Sequence, residues 1–444
     1  MLVRHGLSSF NVERRIQGRD DLSTLTEEGA RQARSTGEAL AGIPLTAVYS
    51  SPLRRARDTT ELLLQAQGGR LQPQFSDDLL EIDLEPWSGV LRSELSRLDP
   101  DAERRWRLEP HQLELQRQDG SRHRPVPALL AQAGRFLDRL LLEHADALDS
   151  GSGHSRSVLV VAHNGILRCL LLRLLALEAE GFRRFRLDNS SVSVFNLSRN
   201  LDGQPEVQIE SLNGTAHLGT PLPSRPRGPR LLLVRHGETD WNRQGRFQGQ
   251  IDIPLNDNGR AQAEAARLFL ADVPLQRAYT SPMARPRQTA EAILAAHPGV
   301  PLTCVSGLLE IGHGLWEGRL ESEIACDWPQ LLQDWKLRPE TVQMPQGETL
   351  QQVWDRSLAS WQTIAASLAE QESALVVAHD AVNKTILCAL MGLGPSHIWM
   401  VKQGNGGVTV VDYPHGAEGP PVLACLNLTS HLGGVLDRTA AGAL

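Results

Sequence analysis

The chain repeats itself, and the repeat limits its fold more than any other feature. Arg4-His5-Gly6 returns as Arg235-His236-Gly237, and Asn11 as Asn242 at the same distance behind its arginine. Gln17-Gly18 returns as Gln248-Gly249, and Ser51-Pro52 as Ser281-Pro282, with Arg55 and Arg285 following at the same step. Leu80-Glu81-Ile82 matches Leu309-Glu310-Ile311, each trailed by Trp-x-Gly (Trp87 to Gly89, Trp316 to Gly318). Val160-Val161-Ala162-His163 matches Val376-Val377-Ala378-His379. The tail repeats too: Leu212-Asn213, Thr215 and His217 answer Leu426-Asn427, Thr429 and His431. So long a period is a duplicated domain and not a solenoid. The expected layout is a first domain over residues 1–219, a stiff, exposed proline-rich linker over 220–229, and a second domain over 230–444, with a loose tail after about Gly434.

Each copy alternates short apolar runs with helical stretches. Leu231–Val234, Leu159–Ala162 and Leu375–Ala378 are continuous apolar runs without alternation, which suits strands buried on both faces. Thr26 and Asn256 are good helix N-caps, and further helices are expected over Arg55–Leu64 and Arg285–Leu294. The pattern predicts two tandem three-layer α/β/α domains, each with a mainly parallel sheet flanked by helices. Ligands of such sheets bind beyond the carboxyl ends of the strands, where both histidines of each copy fall. Only three residues precede Arg4, so the first copy's opening strand is expected to be short.

A net charge of −7 gives no overall basic face for nucleic acid. The most apolar stretch, Ile166–Leu177, is interrupted by Arg168 and Arg173, so no membrane span is expected. The opening residues have no apolar run of the secretory kind. Five scattered cysteines without a CxxC pair read as free, mostly buried thiols, which fits a reducing cytoplasm. No HExxH or CxxC spacing points to zinc.

The repeated residues suit phosphoryl transfer. Neutral imidazole is a nucleophile toward phosphorus, and arginine's planar fork donates bidentately to phosphate. A leaving alkoxide needs a proton, which a carboxylic acid can supply. Each copy holds two arginines, two histidines, an asparagine and a glutamate in one order. Taken singly, Arg-His-Gly, Ser-Pro or a histidine after an apolar strand would each be unremarkable; the ordered set, occurring twice, is not.

The RHG signature, the following Asn, the Ser-Pro-x-x-Arg step, the Leu-Glu-Ile…Trp-x-Gly segment and the Val-Val-Ala-His strand end resemble the histidine phosphatase superfamily, also called phosphoglycerate mutase-like. The resemblance covers nearly the whole chain, twice. It implies His5 and His236 as phosphorylated nucleophiles and Glu81 and Glu310 as proton donors. Arg4, Asn11, Arg55 and His163 would complete the first phosphate pocket, with Arg235, Asn242, Arg285 and His379 in the second. It implies no metal or cofactor, and a small phosphorylated metabolite (a sugar phosphate, phosphoglycerate or phosphoserine) as the partner. The His379-Asp380-Ala381-Val382-Asn383 run looks like a photosynthetic branch that includes phosphatases of carboxylated sugar phosphates.

Two departures separate the copies. Leu7 stands where the second copy has the family's usual Glu238, and Asp83–Pro86 lacks the glycines of Gly312-His313-Gly314. The second copy is therefore expected to carry most of the turnover. The stretches from Glu81 to His163 and from Glu310 to His379 look short for a mutase cap, so hydrolysis is expected ahead of phosphoglycerate mutase activity. A third reading makes one copy a non-catalytic phospholigand-binding module. His217 and His431 read equally as structural caps or substrate contacts, and Trp328, Trp335, Lys336 and Arg338 more as packing and solvated charge. Oligomeric state is not encoded in any of these signals.

Overall fold

The computed structural model describes residues 1–148, 156–199 and 205–439. They form two compact units: Met1–Val207 with Asn213–Pro223, and Gln208–Leu212 with Ser224–Leu444. Among the described residues, no helix is long and apolar enough to cross a membrane.

In the second unit the sheet is built outward from strand Arg230–Arg235. It lies parallel to Ser373–Ala378, with Leu233 opposite Val376. Parallel strands Arg277–Thr280 and Leu302–Cys304 continue on that side. On the other side, Val408–Asp412 and then Val422–Leu428 run antiparallel. Every residue of Arg230–Arg235 and of Ser373–Ala378 is buried, as unbroken apolar runs require. Helices Asp257–Leu270 and Ala284–Leu294 pack on one another, as do Leu350–Ala366 and Asp380–Met391.

The first unit repeats this plan. Leu2–Arg4 lies parallel to Val158–Ala162, followed by Ala47–Ser50 and Gln74–Phe75, and antiparallel to Val192–Arg199. Its opening strand has 3 residues against 6 in the second unit. Both expected N-caps are present: Thr26 Oγ1 accepts the Gly29 N–H at 3.0 Å and Asn256 Oδ1 the Gly259 N–H at 2.8 Å. The helices expected from Arg55 and Arg285 run over Arg54–Gln67 and Ala284–Leu294.

The proline-rich stretch has no helix or strand, but it is not exposed throughout. Pro223, Gly228 and Pro229 are buried, and the Pro229 carbonyl accepts the Tyr413 N–H at 2.9 Å. The division into units falls inside this stretch, after Pro223. Gln208–Leu212 groups with the second unit because Leu212 pairs with Leu426 and the Ile209 carbonyl accepts the Lys402 N–H. The expected loose tail is tied down as far as Thr439. Asp437 Oδ2 accepts from Asn427 Nδ2 at 3.2 Å, and its N–H donates to Glu210 Oε1 at 2.8 Å. Residues 440–444 lie outside the described residues.

The glycine behind each first histidine has a packing reason. A Cβ on Gly237 would meet the Gly259 carbonyl at 2.4 Å, and one on Gly259 would meet the Glu238 carbonyl at 2.0 Å. The loop after the histidine thus rests backbone to backbone on the start of the Asp257–Leu270 helix. Gly6 and Gly29 make the same contact in the first unit. We expect Gly259→Ala to destabilise the second unit by about 1–3 kcal/mol, since neither backbone can yield cheaply. Urea unfolding would read this as a lower midpoint for that unit, and an unchanged midpoint would contradict the contact.

Candidate active sites

In both copies the two histidines stand at carboxyl ends of adjacent parallel strands. Distant sequence positions are thereby brought side by side: the ring centroids are 5.1 Å apart for His5 and His163 and 5.2 Å for His236 and His379. All four rings are buried.

Hydrogen bonds fix the proton on the first histidine of each pair. His5 and His236 each place Nδ1 2.7 Å from the carbonyl of the next glycine. A carbonyl only accepts, so Nδ1 carries the hydrogen and Nε2 the lone pair. In the second copy Arg285 Nε donates to His236 Nε2 at 3.3 Å, which fits the same tautomer. Burial first, and then the guanidiniums of Arg285 and Arg235, hold His236 well below the usual imidazole range. Burial with Arg55 and Arg4 does the same to His5. Both effects favour the neutral ring, with Nε2 as its lone-pair end.

The second histidines are held differently. His163 Nε2 lies 2.8 Å from Ser51 Oγ and His379 Nε2 2.9 Å from Ser281 Oγ. The serines of the Ser-Pro turns therefore anchor these rings. Nδ1 of each is buried with no hydrogen-bond partner among the described residues. A buried nitrogen left unpaired calls for a polar ligand.

The arginines are buried and pinned by backbone carbonyls. Arg55 donates to Asp20 and Gly18 at 2.7 and 2.9 Å, and Arg285 to Ile251 and Gly249 at 3.2 and 2.8 Å. Arg4 donates to Leu187 at 2.8 Å, Arg235 to Gln403 at 2.5 Å. Burial brings Arg4 and Arg285 each down to about 10, so both remain charged near neutrality. Asn11 and Asn242 have Oδ1 occupied: Asn242 Oδ1 accepts from the Thr239 N–H and Oγ1, each at 3.1 Å. That leaves Nδ2 as the donor end. In the first copy, Arg4, His5, Asn11, Arg55 and Glu81 line one cavity of about 310 Å³. His163 is not on its wall but touches the ring of His5.

The glutamates differ between copies. Glu81 accepts backbone N–H groups on both oxygens: Ile82 and Ile166 on Oε1 at 2.8 and 3.2 Å, Gly165 on Oε2 at 3.1 Å. Glu310 accepts only Ile311 on Oε1, at 2.9 Å, and its Oε2 has no donor among the described residues. Burial, and then the charge of Asp380, raise Glu310 above the ordinary carboxylate range. Asp380 is itself held by Lys384 at 2.8 Å and Arg235 at 3.6 Å.

Several site residues were not singled out in the sequence. Thr59 and Thr289 accept the Gly6 and Gly237 N–H groups at 3.0 and 3.1 Å, fixing the loop behind each nucleophile candidate. Both follow the helix arginine by one turn, so the repeat itself held that signal. Asn189 and Asn405 donate to the carbonyls of His5 and His236 at 2.9 and 3.1 Å, but their neighbours differ too much for the repeat to expose them. Glu238 ties its loop to neighbouring elements. It takes Asn256 Nδ2 at 2.8 Å and Arg243 Nε at 2.9 Å, bonds that Leu7 cannot make. His217 and His431 also make structural contacts. His217 Nε2 lies 3.0 Å from Thr36 Oγ1, and His431 stacks on Phe269 and meets the Gly406 carbonyl at 3.1 Å. Trp335 is buried, while Lys336 and Arg338 pair with Glu321 and Asp334 at the surface.

Fold and site together define an enzyme of the phosphatase kind. The chain belongs to the histidine phosphatase superfamily (branch 1), whose model matches residues 1–204 and again 231–427. It is 29% identical to a 2-carboxy-D-arabinitol-1-phosphatase of Triticum aestivum over 98% of this chain and 86% of that protein. It is 32% identical to phosphoserine phosphatase 1 of Hydrogenobacter thermophilus, over 46% of this chain and 94% of that one. A 2,3-bisphosphoglycerate-dependent phosphoglycerate mutase 2 of Gloeobacter violaceus is 33% identical over 39% of this chain and 80% of its own length.

Proposed function

We propose that the protein hydrolyses phosphomonoesters of small metabolites through a phosphohistidine, formed on His236 in the second copy and on His5 in the first. The observation that carries this is the neutral imidazole whose Nε2 lone pair faces a buried guanidinium, with a second histidine's unpaired Nδ1 beside it.

In the second copy, Arg235, Arg285 and Asn242 Nδ2 hold the phosphoryl oxygens, and His379, its Nε2 taken by Ser281, offers Nδ1–H to another. His236 Nε2 attacks phosphorus and the ester P–O bond breaks. The leaving alkoxide takes the proton from Glu310 Oε2. Water then attacks phosphorus, giving a proton back to the Glu310 carboxylate, as the bond from phosphorus to His236 Nε2 breaks; phosphate departs and both residues are restored. The protein's share is positioning and charge stabilisation, as phosphoryl transfer requires. His5, Glu81, Arg4, Arg55, Asn11 and His163 take the same parts in the first copy. A reducing cytoplasmic setting suits the scattered cysteines, of which Cys169, Cys388 and Cys425 are buried.

The near full-length likeness to a 2-carboxy-D-arabinitol-1-phosphatase favours a carboxylated sugar phosphate over phosphoserine as substrate class. The mutase alternative rests on the partial likeness to a phosphoglycerate mutase. A coupled assay separates them. Phosphate release from a panel of phosphoglycerates, phosphoserine, sugar bisphosphates and carboxyarabinitol 1-phosphate should outrun phosphoglycerate isomerisation; the reverse order would make the protein a mutase.

A further inference from the structure

The first copy's cavity is more basic than one phosphoryl group requires. Its wall carries six arginines against two glutamates, Glu81 and Glu103. Arg4 and Arg55 belong to the phosphate pocket. Arg15 is compensated by Glu13 at 2.6 Å. Glu103 has Arg107 3.7 Å away. Arg92, Arg168 and Arg183 remain.

Arg168 is half-buried over the Phe182 ring, 5.6 Å from its centroid, and its guanidinium has no hydrogen-bond or ion-pair partner among the described residues. Its Nε is fully out of contact with solvent. Arg92 is exposed and equally without a side-chain partner among the described residues. Arg183 lies on the Trp106 ring at 5.1 Å and donates Nε to the Trp106 carbonyl at 3.1 Å. Among the described residues no carboxylate forms an ion pair with any of the three; Glu81 and Glu103 act on them only from a distance, and the cations repel one another on the wall of one cavity. Burial first, then Arg183 and Arg4, bring Arg168 down to about 9.

The second copy carries no such cluster at the corresponding positions. Leu91 bridges Arg15 as Leu320 bridges Arg246, so Arg92 corresponds to Glu321. Arg168 and Lys384 each stand five residues past the second histidine, and Lys384 is neutralised by Asp380 at 2.8 Å. Trp399 Nε1 donates to the Trp335 carbonyl at 3.1 Å, as Arg183 does to Trp106, so Arg183 corresponds to Trp399.

We infer that Arg92, Arg168 and Arg183 form a second anion-binding subsite in the first copy, selecting phosphomonoesters that carry a further carboxylate or phosphate, and that the second copy lacks this demand. The inference rests on the phosphatase reading for what happens to the bound ester, but not for the binding itself. A cavity of about 310 Å³ accommodates a phosphorylated sugar or sugar acid. Arginine is suited to either group because its fork matches carboxylate and phosphate alike.

The test is equilibrium binding by calorimetry to the full chain carrying His5→Ala and His236→Ala, which prevents turnover. Fructose 1,6-bisphosphate against fructose 6-phosphate tests a second phosphate, and 3-phosphoglycerate against glycerol 3-phosphate tests a carboxylate. At least one pair should differ by about tenfold or more in favour of the extra anion, as a charge-assisted contact supplies. Adding Arg92→Met and Arg183→Met should reduce that ratio to below about threefold. Arg92→Met alone, at an exposed side chain that holds nothing else, should already lower it, which guards against a folding defect at Arg183. Glu321→Gln in the second copy should leave it unchanged. Equal affinities within both pairs, or a ratio indifferent to the arginines, would overturn the subsite. Whether the intact protein hydrolyses p-nitrophenyl phosphate at all reads the catalytic proposal separately.

Discussion

Replacing His236 by alanine should remove most of the protein's phosphomonoesterase turnover, with the second copy expected to fall on the order of 10³-fold or more, as loss of a covalent nucleophile does. His5→Ala should leave the larger part in place, and the double variant should have none. The asymmetry follows from the acids and the loops. Glu310 Oε2 has no donor among the described residues and is therefore open to a leaving group, whereas both oxygens of Glu81 are engaged by backbone N–H groups. The loop behind His236 is tied to its helix through Glu238, a bond set that Leu7 does not provide. Phosphate release by the two single variants, measured on one alkyl phosphate, decides the matter. Equal residual rates would remove the claim that the second copy dominates.

The second large effect is on the proton donor. In a His5→Ala background, Glu310→Gln should lower kcat on an alkyl phosphate by roughly 10²- to 10⁴-fold, the range of general acid catalysis. On p-nitrophenyl phosphate, whose leaving group needs no proton, the loss should be much smaller. A merely structural role for Glu310 would depress both substrates alike. The pH profile gives an independent reading. In the proposed role Glu310 would act as an acid only while protonated, and its pKa is raised by burial and by Asp380. The alkaline limb should therefore lie above the ordinary carboxylate range, with activity falling as pH rises through it. Asp380→Asn removes the like charge, lowers the Glu310 pKa and moves that limb to lower pH. His236 and His379 are held well below the usual imidazole range, so protonation of imidazole does not curtail activity near pH 6.5, about where a free histidine titrates. An alkaline limb that Asp380→Asn leaves unmoved would separate the acid from its neighbour.

The sequence disclosed whatever depends on a strand's end or on a residue's being kept in both copies. Unbroken apolar runs ending in histidine told where the two rings would meet, because a parallel sheet delivers its strand ends to one edge. Thr26 and Asn256 marked their helix starts because an N-cap is a local interaction. The linker is less exposed and the tail less loose than composition implies, for a common reason. Proline content and terminal position say nothing of tertiary partners, and Tyr413, Glu210 and Asn427 hydrogen-bond to segments that composition alone would leave in solvent. What distinguishes the copies lay in their differences. Asp380 beside Glu310, and Arg92, Arg168 and Arg183 around one cavity, are brought together only by the fold.

The central claim is a covalent bond between an imidazole nitrogen and phosphorus. Brief mixing of the protein with a phosphoryl-radiolabelled substrate, an alkaline quench and peptide mapping would test it most directly. The label should sit on the peptide containing His236, with a weaker one at His5, stable in alkali and lost in acid. Absence of any acid-labile label, or a label that survives in the His5→Ala, His236→Ala protein, would contradict the account.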